Sequence, residues 1–335
     1  MKISVLGMGS FGTALSNILA NNNHEVILWG LSEDDCYDIN NNHCNSKFFK
    51  DVKLNESIFA TTNIEYIKDS DMILFAVPSI AIEDVCNTIK PYITKKFIAI
   101  NVAKGFHPVS HKHLSVVIQE TLENTLLESV VSLIGPSHAE EVVAGLITTV
   151  NAVGYDNDSC IAVQTTFSND YFRVYRNNDV IGAEIGVALK NIMALASGIL
   201  AGLGQGDNAK AALMTRGLNE IVKYGTYFGG KLETYLGLTG LGDLIVTCTS
   251  EHSRNYQAGV QIGKANSSKE FLLNNSKTVE GIICTKIVYE VALEHNISMP
   301  ITTEMYKVLF EDKLPSLCIK ELMNRGLKEE YYEKD

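Results

Sequence analysis

The stretch KISVLGMGSFGTALSNILANNNHEVILWG, residues 2–30, decides the fold. Residues 3–6 form a β-branched apolar run, Gly7, Gly9 and Gly12 punctuate a turn, the next residues take helical spacing, and residues 26–29 are again strand-like. In a strand–turn–helix–strand unit the spacing G-x-G-x-x-G has a mechanical meaning. The first glycine permits the tight turn, the second lets a pyrophosphate approach the backbone, and the third lets helix and strand pack closely. The helix N-terminus presents N–H groups and the positive end of its dipole to phosphates. The alternative is an ordinary glycine turn. The ligand favoured by this context is a nicotinamide or flavin dinucleotide. An acidic residue ending the second strand would select NAD and a basic one NADP, but here the strand ends in Trp29-Gly30-Leu31, with Glu33 and Asp34 slightly later. Either nicotinamide cofactor stays open.

Outward from this unit, strand patterns recur at residues 72–77, 97–102, 130–134, 148–153 and 172–175, alternating with helix-like segments. Such alternation implies crossover connections and a mostly parallel sheet. After Asp179 the β-rich runs stop, and long helical stretches such as 185–203 and 211–228 take over. The expected architecture is α/β, an N-terminal mostly parallel sheet over residues 1–183 followed by an all-helical domain over 184–335. A length of 335 residues fits two domains.

Composition excludes several classes. A net charge of −11 argues against a nucleic-acid surface, so an anionic ligand must meet locally placed cations. The MKISVLG start runs straight into a strand pattern without a signal-peptide layout, from which a cytoplasmic location is expected. The apolar window 185–206 contains Lys190, Asn191, Gln205 and five glycines, and it reads as a buried helix rather than a membrane span. Seven scattered cysteines with no C-x-x-C pair read as reduced thiols. The apolar helical half suggests a homodimer.

Polar residues at the predicted strand ends are the candidates for chemistry. Lys104 follows the 97–102 strand, at the edge where open α/β sheets bind ligands; it could equally be a solvated loop lysine. Gly135-Pro136-Ser137 follows the next strand, where Ser137 could cap the following helix, contact a ligand, or do both. In GLTGLGDLIVTCTSEHSRN (237–255), Asp243 follows a glycine-rich turn, and Ser253-Arg254-Asn255 offers hydroxyl, guanidinium and amide together. An arginine fork suits phosphate, although a surface turn would look similar. GTYFGGK (225–231) imitates a P-loop, but Leu232 replaces the metal-binding hydroxyl and no strand precedes it, so it reads as a helix end. His111 and His113, with His107 nearby, are expected on a helix and solvated, because i and i+2 point apart there. No metal site is expected.

The motifs GMGSFGTALS, VAKG, IGPSHAEEV, ALKNIMALASG, NAKAALMTRG, the 237–255 stretch and KTVEGI together resemble, over nearly the whole chain, the bacterial NAD(P)-dependent sn-glycerol-3-phosphate dehydrogenases. The resemblance implies a Rossmann-type domain with a helical second domain, and hydride transfer between NAD(P)H and a phosphorylated triose, interconverting dihydroxyacetone phosphate and sn-glycerol 3-phosphate. That reaction would supply glycerophospholipid synthesis. By motif, Lys190 would be the acid/base. Lys104, Gly135, Ser137, Asp243, Ser253, Arg254 and Asn255 would surround the substrate with it. Gly7, Gly9, Ser10, Phe11, Gly12, Lys104, Ala139, Arg254, Thr278 and Glu280 would line the cofactor site. Two departures stand out: Trp29-Gly30-Leu31 has no basic residue for a 2′-phosphate, and Lys50 stands where the family often has proline.

Lys190 is the only charged residue between Ile185 and Gly206. Desolvation disfavours its charged form and lowers its pKa toward the range of an acid/base group. A structural lysine snorkelling to solvent is the alternative. Two other functions fit parts of the pattern. A β-hydroxyacid dehydrogenase of related layout would have less use for Arg254 and Asn255, and a non-catalytic dinucleotide sensor would need neither Lys190 nor Asp243.

Overall fold

The computed structural model describes residues 1–275, 278–327 and 329–330. Lys277 of the KTVEGI motif lies outside them. Eight strands form one sheet: β1 (Lys2–Leu6), β2 (Glu25–Trp29), β3 (Ile58–Thr61), β4 (Met72–Phe75), β5 (Phe97–Asn101), β6 (Leu127–Ile134), β7 (Thr148–Val153) and β8 (Phe172–Asn177). Their order is β3-β2-β1-β4-β5-β6-β7-β8. All neighbours are parallel except β6 and β7. The chain therefore leaves β1 toward β2 on one side and returns to β4 on the other, opening a crevice at the carboxyl end of β1.

The strands read as unbroken apolar runs because both faces are covered: every residue of β4 and β5 is buried. One strand has no sequence expectation, β3. Its four residues sit at the sheet edge with Phe59 half-exposed, too short for a period-2 pattern to stand out. The strand expected at 72–77 ends at Phe75. There Ala76 passes under Gly7, whose φ of +118° and tight approach (a Cβ would lie 2.5 Å from the Ala76 carbonyl oxygen) leave room only for glycine.

Helices dominate from Val180 onward. The Lys190 helix, Val180–Gly202, is capped by Asp179, whose carboxylate accepts from the Gly182 N–H at 3.0 Å. Among the described residues it alone is long and apolar enough to cross a bilayer, and it is instead the buried axis of this half. The helices Asp207–Tyr227, Asp243–Thr249, Arg254–Ala265 and Glu280–Glu294 pack around it. The contact with Arg254–Ala265 is backbone on backbone: a Cβ on Gly198 would lie 2.1 Å from the Tyr256 carbonyl oxygen, and one on Gly259 would lie 2.1 Å from that of Leu195. This close approach brings the start of the Arg254 helix beside Asn191. The P-loop imitation is indeed a helix end, with Gly229 left-handed at φ +93° two residues after Tyr227.

The helix expected for the histidines is not there, and of the three only His111 is exposed as expected. His107, His111 and His113 occupy the loop before the Leu114–Leu122 helix. His107 is buried, with Nδ1 3.0 Å from the Ser110 hydroxyl and Nε2 3.6 Å from the Glu83 carboxylate. His113 Nδ1 lies 3.3 Å from Glu184. The left-handed backbone at His111, φ +58°, breaks the helix that the spacing argument assumed.

Candidate active site

The cleft is built from loops at the carboxyl ends of β1, β5 and β6 facing the Lys190 helix. At β1, Gly9 precedes the Ser10–Asn21 helix, whose N-terminus has no side-chain cap and no acidic residue in its first turn. A Cβ on Gly9 would meet nothing within 4 Å, whereas one on Gly12 would lie 2.0 Å from the Gly7 carbonyl oxygen. The three glycines thus divide as the fingerprint requires: Gly7 for the turn, Gly12 for packing, and Gly9 for an open approach to free N–H donors. That cradle fits a dinucleotide pyrophosphate.

Lys190 is 2% exposed. Its ammonium donates to the Asp243 carboxylate Oδ1 and, at 2.9 Å, to the Thr247 hydroxyl. Burial pushes its pKa down to about 7; the Asp243 charge opposes that shift and Lys104 adds to it. Lys104 lies 3.9 Å from Asp243 Oδ2, an oxygen that is buried and has no hydrogen-bond donor. The Lys104 ammonium is also 5.9 Å from the centre of the Phe11 ring, which ties the glycine loop to the lysine pair. Asp243 owes its position to the turn Leu238–Gly242, where a Cβ on Gly242 would lie 3.7 Å from the Pro136 ring.

The remaining predicted residues form the second wall. Asn255 donates to Asn191 Oδ1 and accepts from the Gly281 N–H, both at 2.9 Å. Ser253 caps the Arg254 helix through the Tyr256 N–H at 3.2 Å. Arg254 is exposed, with one guanidinium nitrogen 3.5 Å from the Thr278 carbonyl oxygen. Glu280 sits beside Gly105 and accepts from the Ser79 hydroxyl at 3.0 Å. Burial pushes its carboxyl up, against Ser79 and Arg254. Ser137 does not cap the following helix. Its hydroxyl donates to the Gly135 carbonyl at 3.0 Å, because that helix starts at Ala139 and leaves His138 in the cap position.

Several groups escaped the sequence reading. Thr247 lies four residues after Asp243, one turn along the same helix, a spacing that could have suggested it. Glu184 is buried and accepts from Ser115 at 2.9 Å and Ser132 at 2.7 Å, joining the Lys190 helix to the sheet. Nothing local in the sequence signals those partners.

Residues 2–160 match the family described as NAD-dependent glycerol-3-phosphate dehydrogenase N-terminus, and residues 179–320 match the corresponding C-terminus. The chain belongs to the NAD-dependent glycerol-3-phosphate dehydrogenase family. A Staphylococcus epidermidis relative, glycerol-3-phosphate dehydrogenase (NAD(P)+), is 48% identical over 98% of this chain and 99% of its own length. Among solved structures, glycerol-3-phosphate dehydrogenase from Coxiella burnetii superposes with a TM-score of 0.89 at 35% identity, covering 97% of this chain and 99% of that one. The Plasmodium falciparum glycerol-3-phosphate dehydrogenase gives 0.88 at 29% identity, covering 98% and 97%. The chain is therefore an NAD(P)-dependent oxidoreductase with a Rossmann-type sheet and a helical C-terminal half.

Proposed function

We propose that this enzyme interconverts dihydroxyacetone phosphate and sn-glycerol 3-phosphate with Lys190 as acid/base. The carrying observation is a lysine 2% exposed, pushed down to about 7, and held by Asp243 and Thr247 at the floor of the cleft. When bound, the nicotinamide supplies or accepts the hydride. In reduction, protonated Lys190 gives its proton to the carbonyl oxygen; in oxidation, the neutral amine removes the hydroxyl proton. Asp243 holds the ammonium in place, and its unfilled Oδ2 is free to accept from a substrate hydroxyl. Lys104, Gly135 and Ser137 line the sheet side of the substrate. Ser253, Arg254 and Asn255 form the phosphate end, Arg254 offering the charged fork and Asn255 fixed by Asn191 and Gly281. Gly7, Gly9, Gly12, Ser10, Phe11, Lys104, Ala139, Arg254, Thr278 and Glu280 hold the cofactor.

The division at residues 183/184, a cytoplasmic homodimer and supply of glycerol 3-phosphate for glycerophospholipid synthesis belong to the same proposal. NADH is expected to serve at least as well as NADPH. Glu33, which accepts from Thr62, and Asp34 and Asp35 crowd the first turn beyond β2, while Lys47 is engaged by Asp35 at 3.4 Å. The deciding experiment follows loss of NADH or NADPH absorbance with dihydroxyacetone phosphate at two salt concentrations. No turnover with either cofactor defeats the assignment; an NADPH preference that weakens with salt defeats the cofactor ranking.

A further inference from the structure

His138 and His252 come from opposite walls of the cleft and meet, their ring centres 5.8 Å apart and tilted by 54°. His138 stands between Ser137 and Ala139 on the loop after β6; His252 immediately precedes Ser253-Arg254-Asn255. His138 is half-buried with Nε2 3.4 Å from the Val246 carbonyl oxygen, on the helix that begins at Asp243. Donation to that carbonyl assigns the proton of the neutral ring to Nε2 and leaves Nδ1 as an acceptor.

We propose that the His138–His252 pair is a recognition element for the substrate phosphate: the paired rings bridge the two walls, and His138, on protonation, contributes the positive charge that meets the dianion. The proposal rests on the substrate reading given above. The groups facing His138 set its behaviour. Burial holds its pKa below the ordinary histidine value and the Val246 carbonyl opposes this; Lys104 and Lys190 repel a proton there, while Glu140 on its own helix favours one. His252 faces it from the second wall with Glu251 next in sequence. Without an anion, His138 is neutral at pH 7. A phosphate monoester, carrying about −1.5 to −2 charges at that pH, reverses the balance, because an opposite charge within about 4–6 Å favours the protonated ring. Substrate binding then takes up a proton, and affinity declines as pH rises.

The test is the KM for dihydroxyacetone phosphate between pH 6.5 and 8.5 in the wild type, His138→Phe, His138→Gln and His252→Asn. Titration of Lys190 and of the substrate itself is common to all four proteins and cancels in the comparison. Wild-type KM should rise about tenfold across the range, the order of one charge-assisted hydrogen bond lost. The variants should start near the high value and stay flatter, with the cofactor KM unchanged. His252 is exposed, so His252→Asn carries the test if the His138 variants fail to fold. Superimposable KM curves in an active enzyme overturn this proposal alone. A wild type that ignores dihydroxyacetone phosphate at every pH but reduces a phosphate-free keto acid overturns the substrate reading and this proposal with it.

Discussion

Lys190 and Glu220 lie in the same helical half, are almost fully buried, and are each driven by burial to a pKa of about 7, one from above and one from below. Their surroundings differ. The Glu220 carboxylate accepts from the Ile301 N–H, and from the Thr302 N–H at 3.1 Å and hydroxyl at 3.0 Å, so it caps the Pro300–Phe310 helix from outside. Around Lys190 one oxygen of its partner Asp243 has no donor, and a second ammonium, Lys104, stands 3.9 Å from it. A perturbed pKa alone therefore does not mark a site. Perturbation beside an unfilled acceptor, in a cleft, does.

The largest effect expected from breaking this contrast is on turnover. Lys190→Met should lower kcat by roughly 10²–10⁴-fold while cofactor affinity and fold persist, since the Gly7–Gly12 cradle is backbone built on another element. Near-normal kcat in that variant would remove Lys190 from the chemistry. Next in size is Arg254→Lys, which keeps the charge but loses the fork. KM for the phosphorylated substrate should rise about tenfold, with a smaller change in kcat. An unaltered KM would return Arg254 to the role of an exposed residue reaching the Thr278 carbonyl.

How much of this was legible in the sequence follows from how each region is made. The glycine loop works through backbone geometry at fixed short spacing, so residues 7–12, read within the strand–turn–helix–strand unit of residues 2–30, point to its ligand, and φ +118° at Gly7 is what that spacing demands. The substrate wall is assembled from side chains far apart in the chain. Lys190 was visible because a lone charge in an apolar helix is conspicuous. Asp243 and Arg254 entered as members of a polar turn. Glu184 and Glu220 were invisible, because their meaning lies in partners 69 and 82 positions away, whereas Thr247 was overlooked although it stands one turn after Asp243 on the same helix. His107 was misread because helical spacing was assumed for a loop whose burial is tertiary.

A smaller, directional effect separates the two groups by pH. Reduction needs protonated Lys190, so its kcat should fall as pH rises through about 7, while oxidation should rise over the same interval. Measuring both directions from pH 6 to 9 checks the sign. Parallel profiles would mean that another group carries the proton.

The smallest effect on turnover is expected at Glu220, where stability is the readout. Its folded pKa, about 7, is raised above the ordinary glutamate value of 4.5, so between those limits the native state holds a proton that the unfolded chain has released. The associated stability is fully present below 4.5 and is lost as pH rises through 7, on the order of 3 kcal/mol. Lys190 has the opposite sign in the next window. Its folded value of about 7 is below 10.5, so its contribution is present above 10.5 and lost as pH falls through 7. Glu220→Gln keeps an acceptor for the Pro300–Phe310 helix but removes the titration. The variant should therefore show wild-type kcat, a lower Tm at pH 5 because one N–H loses its acceptor, and a Tm gap that narrows toward pH 8. Thermal unfolding at these two pH values decides it. A gap that stays constant, or kcat reduced as in Lys190→Met, would mean that Glu220 is no mere helix cap and that the contrast between the two buried groups is drawn in the wrong place.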